Sequence, residues 1–191
     1  MFENRRQAGR QLAAKLASFK GRASLVLGIP RGGIVVAKEV SDSLSIPLAC
    51  LVVKKVSALN QPELAVGAVT TKHLYVGEKD TASEEKVKEY VDKFGQVKDK
   101  DLRGKLVILV DDGVATGFTV KAAIKYLRKK EVKEIVLAVP VVSSEILSEI
   151  KLLVKKVVVL ETPEEFSAVG QFYLDFSQVN DEEVIQLLQN A

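Results

Sequence analysis

The sequence has one cysteine and one histidine in 191 residues, and neither a long apolar run nor a long polar one. A single thiol, Cys50, excludes an intrachain disulfide framework and a cysteine-based zinc site. Its setting in "PLACLVV" reads as buried core rather than as a nucleophile. No apolar run approaches the roughly 20 residues needed to span a bilayer. The N-terminal "MFENRRQAGRQLAAKLASFKG" is charged and helical in pattern, not a signal peptide, so a soluble, cytoplasmic protein is expected. The net charge of +3 is too small to imply nucleic acid, and Lys and Arg are spread along the chain. An anionic small molecule suits that balance. The lone His73 lies in a polar segment, where a surface role is the expectation.

Length and the absence of internal repeats fit one domain, 1–191. Apolar runs at 24–29, 47–55, 105–112, 134–142 and 156–161 read as strands, most of them continuous enough to be buried on both faces. Helical patterns lie between them at 33–44, 117–130 and 143–153. An amphipathic helix at 5–18 opens the chain, with Ala8, Leu12, Leu16 and Phe19 on one face. Strand alternating with helix predicts an α/β fold: an open, mainly parallel sheet flanked by helices, with right-handed crossovers. The interval 56–104 breaks the alternation and is expected to be an insertion. Within it, 57–70 and 73–77 read as a loop with short strands, followed by a helix opened by Ser83. The tail, 162–191, should cap one end. Its last helix starts with "NDEE", an Asn-x-x-Glu resembling a capping box. Phe166, Phe172, Tyr173 and Phe176 are expected to clamp that tail to the sheet rather than to offer a stacking surface.

In an open parallel sheet the ligand site lies beyond the carboxyl ends of the strands, and two loops there are unusual. "GIPRGGIVVA" (28–37) joins a strand to a helix. Gly32 and Gly33 permit close backbone approach, and the helix start offers free N–H groups to an anion. A Gly-Gly pair alone reads as a tight turn; Arg31, a fork for phosphate oxygens, makes an anion loop an equal reading. The second loop, within "VILVDDGVATGFT" (107–119), sets Asp111 and Asp112 at the end of a buried strand. Gly113, Val114, Ala115, Thr116, Gly117, Phe118 and Thr119 follow, a small-residue loop able to wrap a phosphate with N–H groups and two hydroxyls. It has neither the Lys of a Walker loop nor a Gly-x-Gly-x-x-Gly fingerprint. Two anion loops flanking a carboxylate pair point to a sugar with a cis-diol and phosphates at both ends. Hydrated Mg²⁺ could also sit on the carboxylates.

"VILVDDGVATGFT" resembles the 5-phosphoribosyl 1-diphosphate (PRPP) motif of type I phosphoribosyltransferases, and "GIPRGG" their pyrophosphate loop. "RRQAGRQLA", "NQPELAVGAV" and "FSQVNDEEV" extend the resemblance to a prokaryotic phosphoribosyltransferase-like group without a defined acceptor. The resemblance implies that Asp111 and Asp112 hold the ribose hydroxyls. It also implies that Ala115 to Thr119 hold the 5′-phosphate, and that Arg31, Gly32 and Gly33 hold the pyrophosphate around a strained or cis peptide. Asp111, Asp112 and Arg31 would be the catalytic residues, with Mg²⁺ held near the two aspartates largely through substrate and water. Lys54 and Lys55 would assist the departing anion, although snorkelling surface lysines are an equal reading. The interval 56–75 corresponds to the mobile lid, where Glu63, Lys72 and His73 are the acid–base candidates and Glu63 the best placed. The expected partners are PRPP and a small-molecule acceptor, a nucleobase above all; a homodimer is the family expectation. Two other classes stay open: a PRPP-binding regulator without transfer chemistry, and a phosphotransfer module for another nucleotide.

Overall fold

The computed structural model describes residues 1–58, 61–71 and 73–190, with the backbone alone for 61–64. Five strands form one parallel sheet in the order β2 (Leu48–Cys50), β1 (Leu25–Gly28), β6 (Leu106–Val110), β7 (Glu134–Val141), β8 (Lys156–Glu161). The sequence expected this open parallel sheet flanked by helices, and the alternation of side chains explains why the strands are apolar throughout. Val26, Ile108, Val110, Val136 and Ala138 point to one face, under α1 (Arg5–Lys15) and α2 (Gly32–Leu44). Leu27, Val107, Leu109, Leu137 and Val139 point to the other, under α4 (Phe118–Lys129) and α5 (Ser144–Lys151). Ala8, Leu12, Leu16 and Phe19 are all buried against the first of these faces or beside it, as their spacing predicts. The α1 helix itself ends at Lys15, and Phe19 belongs to a following 3₁₀ turn.

The run 47–55 is not one strand. It pairs with β1 only as far as Cys50; after Leu51 and Val52 the chain leaves the sheet as β3 (Val53–Ala58). There it joins an antiparallel sheet, β3–β4–β5, with β4 (Gln61–Thr70) and β5 (Leu74–Gly77). Val53 pairs with Thr70, and Lys55 with Ala68. The expected loop with short strands is therefore mostly one ten-residue strand, a hairpin ladder that satisfies the backbone groups a loop would leave open. The next helix, α3 (Thr81–Phe94), starts earlier than expected. Asp80, not Ser83, is its cap, its carboxylate accepting from the N–H groups of Ala82 and Ser83. Ser83 is buried in the first turn, where its hydroxyl donates to Asp80 at 2.7 Å.

The tail returns across the carboxyl edge of the large sheet to α6 (Asp181–Gln189). Asn180 caps α6 by accepting from the Glu183 N–H at 2.8 Å, as its spacing predicts. Tyr173 pairs with Phe2 by a short parallel bridge, and their rings lie 5.3 Å apart. Phe166 and Phe172, also ring to ring, pack on the same patch. The first and last segments of the chain thus meet over the site end of the sheet. Among the described residues no helix is long and apolar enough to cross a membrane.

Candidate active site

β1 and β6 lie side by side in the sheet, so the loops leaving their carboxyl ends stand next to each other. Those loops feed α2 and α4, and both helices start without a side-chain cap. The other four α-helices among the described residues are capped by their own residues, Asn4, Asp80, Ser143 and Asn180. An uncapped first turn leaves backbone N–H groups unsatisfied at the positive end of the helix dipole, which is where an anion binds. Gly117 caps α4 in the left-handed conformation, φ 75°, a position closed to most side chains. The peptide between Pro30 and Arg31, just before α2, is cis.

Between these helix starts sit the two aspartates. Asp111 Oδ1 accepts the N–H of Asp112 at 2.9 Å. Asp112 Oδ2 accepts from Arg5 Nε at 2.7 Å, a pair with little exposure on either side. Burial first, and the adjacent Asp112 second, push Asp111 well above the usual carboxylate range. Burial also raises Asp112, while Arg5 pulls it back. The carboxyls therefore hold a proton more readily than free ones, and hydroxyl donors or a cation at the site would favour their charged form. Gly32 and Gly33 have a role in this packing that phosphate chemistry alone does not suggest. A Cβ on Gly32 would collide with the Asp112 carboxylate, and one on Gly33 would lie 2.9 Å from Asp111 Cα and Oδ1. The glycines let the start of α2 press against the carboxylates.

A cleft of about 450 Å³ opens over this pair, its wall including Arg5, Arg31, Lys54, Lys55 and Thr119. A smaller cavity of about 180 Å³ adjoins it, sharing Lys55, Asp111 and Thr119, and is lined by Gly113 to Gly117. The structure thus brings together Arg31, Gly32, Lys54, Asp111, Asp112 and the loop 113–119, and four cationic side chains meet two carboxylates. Lys54 is half-buried with its ammonium 4.2 Å from the centre of the Tyr90 ring; burial, then the charges of Lys86 and Arg31, lower its pKa. Phe118 instead turns to the core, next to β5 at Gly77. His73 is not at the site: its imidazole is exposed and pairs with Glu84 at 2.7 Å. The Glu63 side chain and Lys72 lie outside the described residues. Cys50 is buried, its thiol pushed up to about 12 by burial, which fits a core residue.

Sequence reasoning missed Arg5 and Asp181 as site residues and assigned Tyr173 and Phe176 to the tail clamp alone. The Arg5 guanidinium lies 3.7 Å over the Phe176 ring and donates from Nη1 to the Ser177 carbonyl at 2.9 Å. The Tyr173 hydroxyl donates to the Asp112 carbonyl at 2.6 Å. Phe176 is therefore the back of the Arg5 seat, while its aromatic neighbours serve the expected clamp. One local signal pointed to Arg5: a cation in the first turn of a helix, with no acid beside it, opposes the helix dipole and so implies a partner elsewhere.

Comparison with known proteins agrees with this geometry. A phosphoribosyl transferase domain model matches residues 3–177. Two Mycobacterium tuberculosis proteins, each named "Putative phosphoribosyl transferase", are 40% identical over 208 aligned residues. The alignment takes in 100% of the chain and 47% of each relative, so the chain spans about half the length of the curated relatives it matches. The crystal structure of TT1426 from Thermus thermophilus superposes with a TM-score of 0.78 at 37% identity, covering 99% of this chain and 98% of that one. A purine phosphoribosyltransferase from Pyrococcus horikoshii superposes with a TM-score of 0.52, covering 91% and 90%. At 22% identity it shares the fold alone. With most of its length matched by that model and by TT1426, and its two anion loops set around one carboxylate pair, the chain belongs to the phosphoribosyl transferase domain family.

Proposed function

We propose that the cleft binds Mg²⁺–PRPP and that the protein transfers the 5-phosphoribosyl group to a nitrogen acceptor, with release of pyrophosphate. One observation carries this reading: among the described residues, the two α-helices that start without a side-chain cap are the two that flank the half-buried aspartates. The first turn of α4, with the Thr116 and Thr119 hydroxyls, takes the 5′-phosphate in this reading. Asp111 and Asp112 accept from the ribose hydroxyls. Arg31 and the start of α2 take the pyrophosphate, helped by Lys54.

Among the described residues no cluster of three or more His, Cys, Asp or Glu is placed to hold a metal ion. The donor set fits Mg²⁺ held by Asp111 and Asp112 together with ligand oxygens and water, the arrangement this hard cation favours. The chemistry such an ion supplies is neutralisation of the departing pyrophosphate. The carboxylates favour the positive charge that builds on the ribose as its bond to pyrophosphate lengthens, and Arg31 and Lys54 favour the anion that leaves.

A second reading is binding without transfer, as in a PRPP-responsive regulator. The Arg5 guanidinium on Asp112 favours it, because a cation there weakens the field that would stabilise a ribose cation. Calorimetric titration with Mg²⁺–PRPP, followed by a screen of nucleobases and amines for pyrophosphate release, separates the two. Binding with release supports transfer, and binding without release supports the regulator. No binding removes both.

A further inference from the structure

α6 begins with three acids, Asp181, Glu182 and Glu183, which suit the positive end of a helix. Dipole complementarity explains their presence but not where Asp181 reaches. Its Oδ1 accepts from Arg31 Nη1 at 3.3 Å, and its Oδ2 from Lys93 Nζ at 2.7 Å. Lys93 also donates to Glu89 at 2.8 Å. Arg31 and Asp181 are each about a quarter exposed, 27% and 24%. The Asp181 carboxyl stays well ionised, held below its usual range first by Lys93 and then by Arg31.

Three features of this contact bear on the cleft. Arg31 is the guanidinium at the start of α2, on the cleft wall. At 3.3 Å the Asp181 bond is long for a charge-assisted one, whereas the Lys93 bond is short. Asp181 therefore has a second and better partner, and it can release Arg31 without being stranded. A phosphate group carries more charge and more acceptor oxygens than one carboxylate oxygen, so it wins the arginine fork.

We propose that Asp181 is an internal anion of the site, occupying Arg31 until a phosphate group of the ligand takes the guanidinium, and so setting anion affinity. The inference rests on the PRPP reading of the cleft. It adds a residue from the far end of the chain that tunes binding by competition, while Lys93 holds the carboxylate in reserve.

The test compares wild type, Asp181→Asn and Glu89→Gln by calorimetric titration with Mg²⁺–PRPP and, separately, inorganic pyrophosphate with Mg²⁺. Glu89→Gln removes the same charge from the same Lys93 without touching Arg31. Melting curves of the three proteins establish that each is folded; Asn is well tolerated near a helix start. Asp181→Asn is expected to bind both ligands about three- to fivefold more tightly, the worth of a part-exposed ion pair, with Glu89→Gln close to wild type. Unchanged or weaker binding by Asp181→Asn overturns the proposal, since Asp181 would then only orient Arg31. Equal tightening in both variants also overturns it, as an effect of net charge alone. If wild type binds neither ligand, the PRPP reading fails and this inference falls with it.

Discussion

The described chain caps its helices in two ways. α1, α3, α5 and α6 each begin with a polar side chain folded onto the first-turn N–H groups. α2 begins at Arg31 and α4 at Gly117, neither of which makes such a bond. A missing N-cap bond typically costs a helix about 1 kcal/mol, and here the two omissions sit on either side of one half-buried carboxylate pair. The four capped helices are finished by the protein itself. The two uncapped ones are left for something else to finish, and the cleft between them is lined by Arg5, Arg31, Lys54 and Lys55.

The contrast can be pressed hardest at the start of α4, where the loop carries Ala115. The spacing here looks more like that of adenine-type enzymes, whereas in 6-oxopurine phosphoribosyltransferases the corresponding loop usually carries an Asp at this place, positioned to exchange a proton with the purine ring. A methyl group cannot do so, and a missing positioned base commonly costs on the order of 10²–10⁴ in rate. Hypoxanthine, guanine and xanthine should be poorer acceptors than the true substrate by at least that margin. Steady-state pyrophosphate release with saturating Mg²⁺–PRPP checks this; turnover of any of the three at several per second, on the order of typical enzyme rates, would sink it.

At the start of α2 a steric failure is expected. Gly32→Ala places a methyl against the Asp112 carboxylate and 2.7 Å from Arg5 Nε. The expected loss is about 1–3 kcal/mol of stability, the usual result of overpacking, along with the response to PRPP. A Gly32→Ala protein with wild-type melting and binding would show that α2 does not need to approach the carboxylates so closely.

A capped helix should behave in the opposite way. Asp80→Ala removes the acceptor of the Ala82 and Ser83 N–H groups and of the Ser83 hydroxyl. Stability should fall by about 1 kcal/mol while the affinity for Mg²⁺–PRPP stays within error of wild type. Loss of that affinity with the fold intact would blur the distinction between the two kinds of helix start.

The parallel sheet was legible because its signal is local: "LVILV" and "EIVLAVPVV" are apolar at nearly every position, as strands covered on both faces must be. The split in 47–55 was not. Cys50, Leu51, Val52 and Val53 are equally apolar, and only the partners, β1 before the break and β4 after it, distinguish the halves. Asx chemistry misled at Ser83 because Asp80 offers the same cap one turn earlier. For the site, Asp111, Asp112 and the two loops were readable because each loop is continuous in sequence. Arg5, Tyr173 and Asp181 were not, because their partners lie 107, 61 and 150 residues away. Such contacts arise from the crossing of the first helix and the tail, which no local pattern records.

The most direct test of the central claim, that Asp111 and Asp112 are kept side by side at the strand end for a ligand, is a pair of melting curves for wild type and Asp111→Asn. Asn keeps an oxygen to accept the Asp112 N–H and removes a charge that burial and Asp112 both oppose. Without ligand the variant should be the more stable, by up to about 1 kcal/mol. With Mg²⁺–PRPP wild type should melt higher as ligand is added, and the variant should not move. A variant that is less stable than wild type alone, yet rises with Mg²⁺–PRPP as wild type does, would contradict the account.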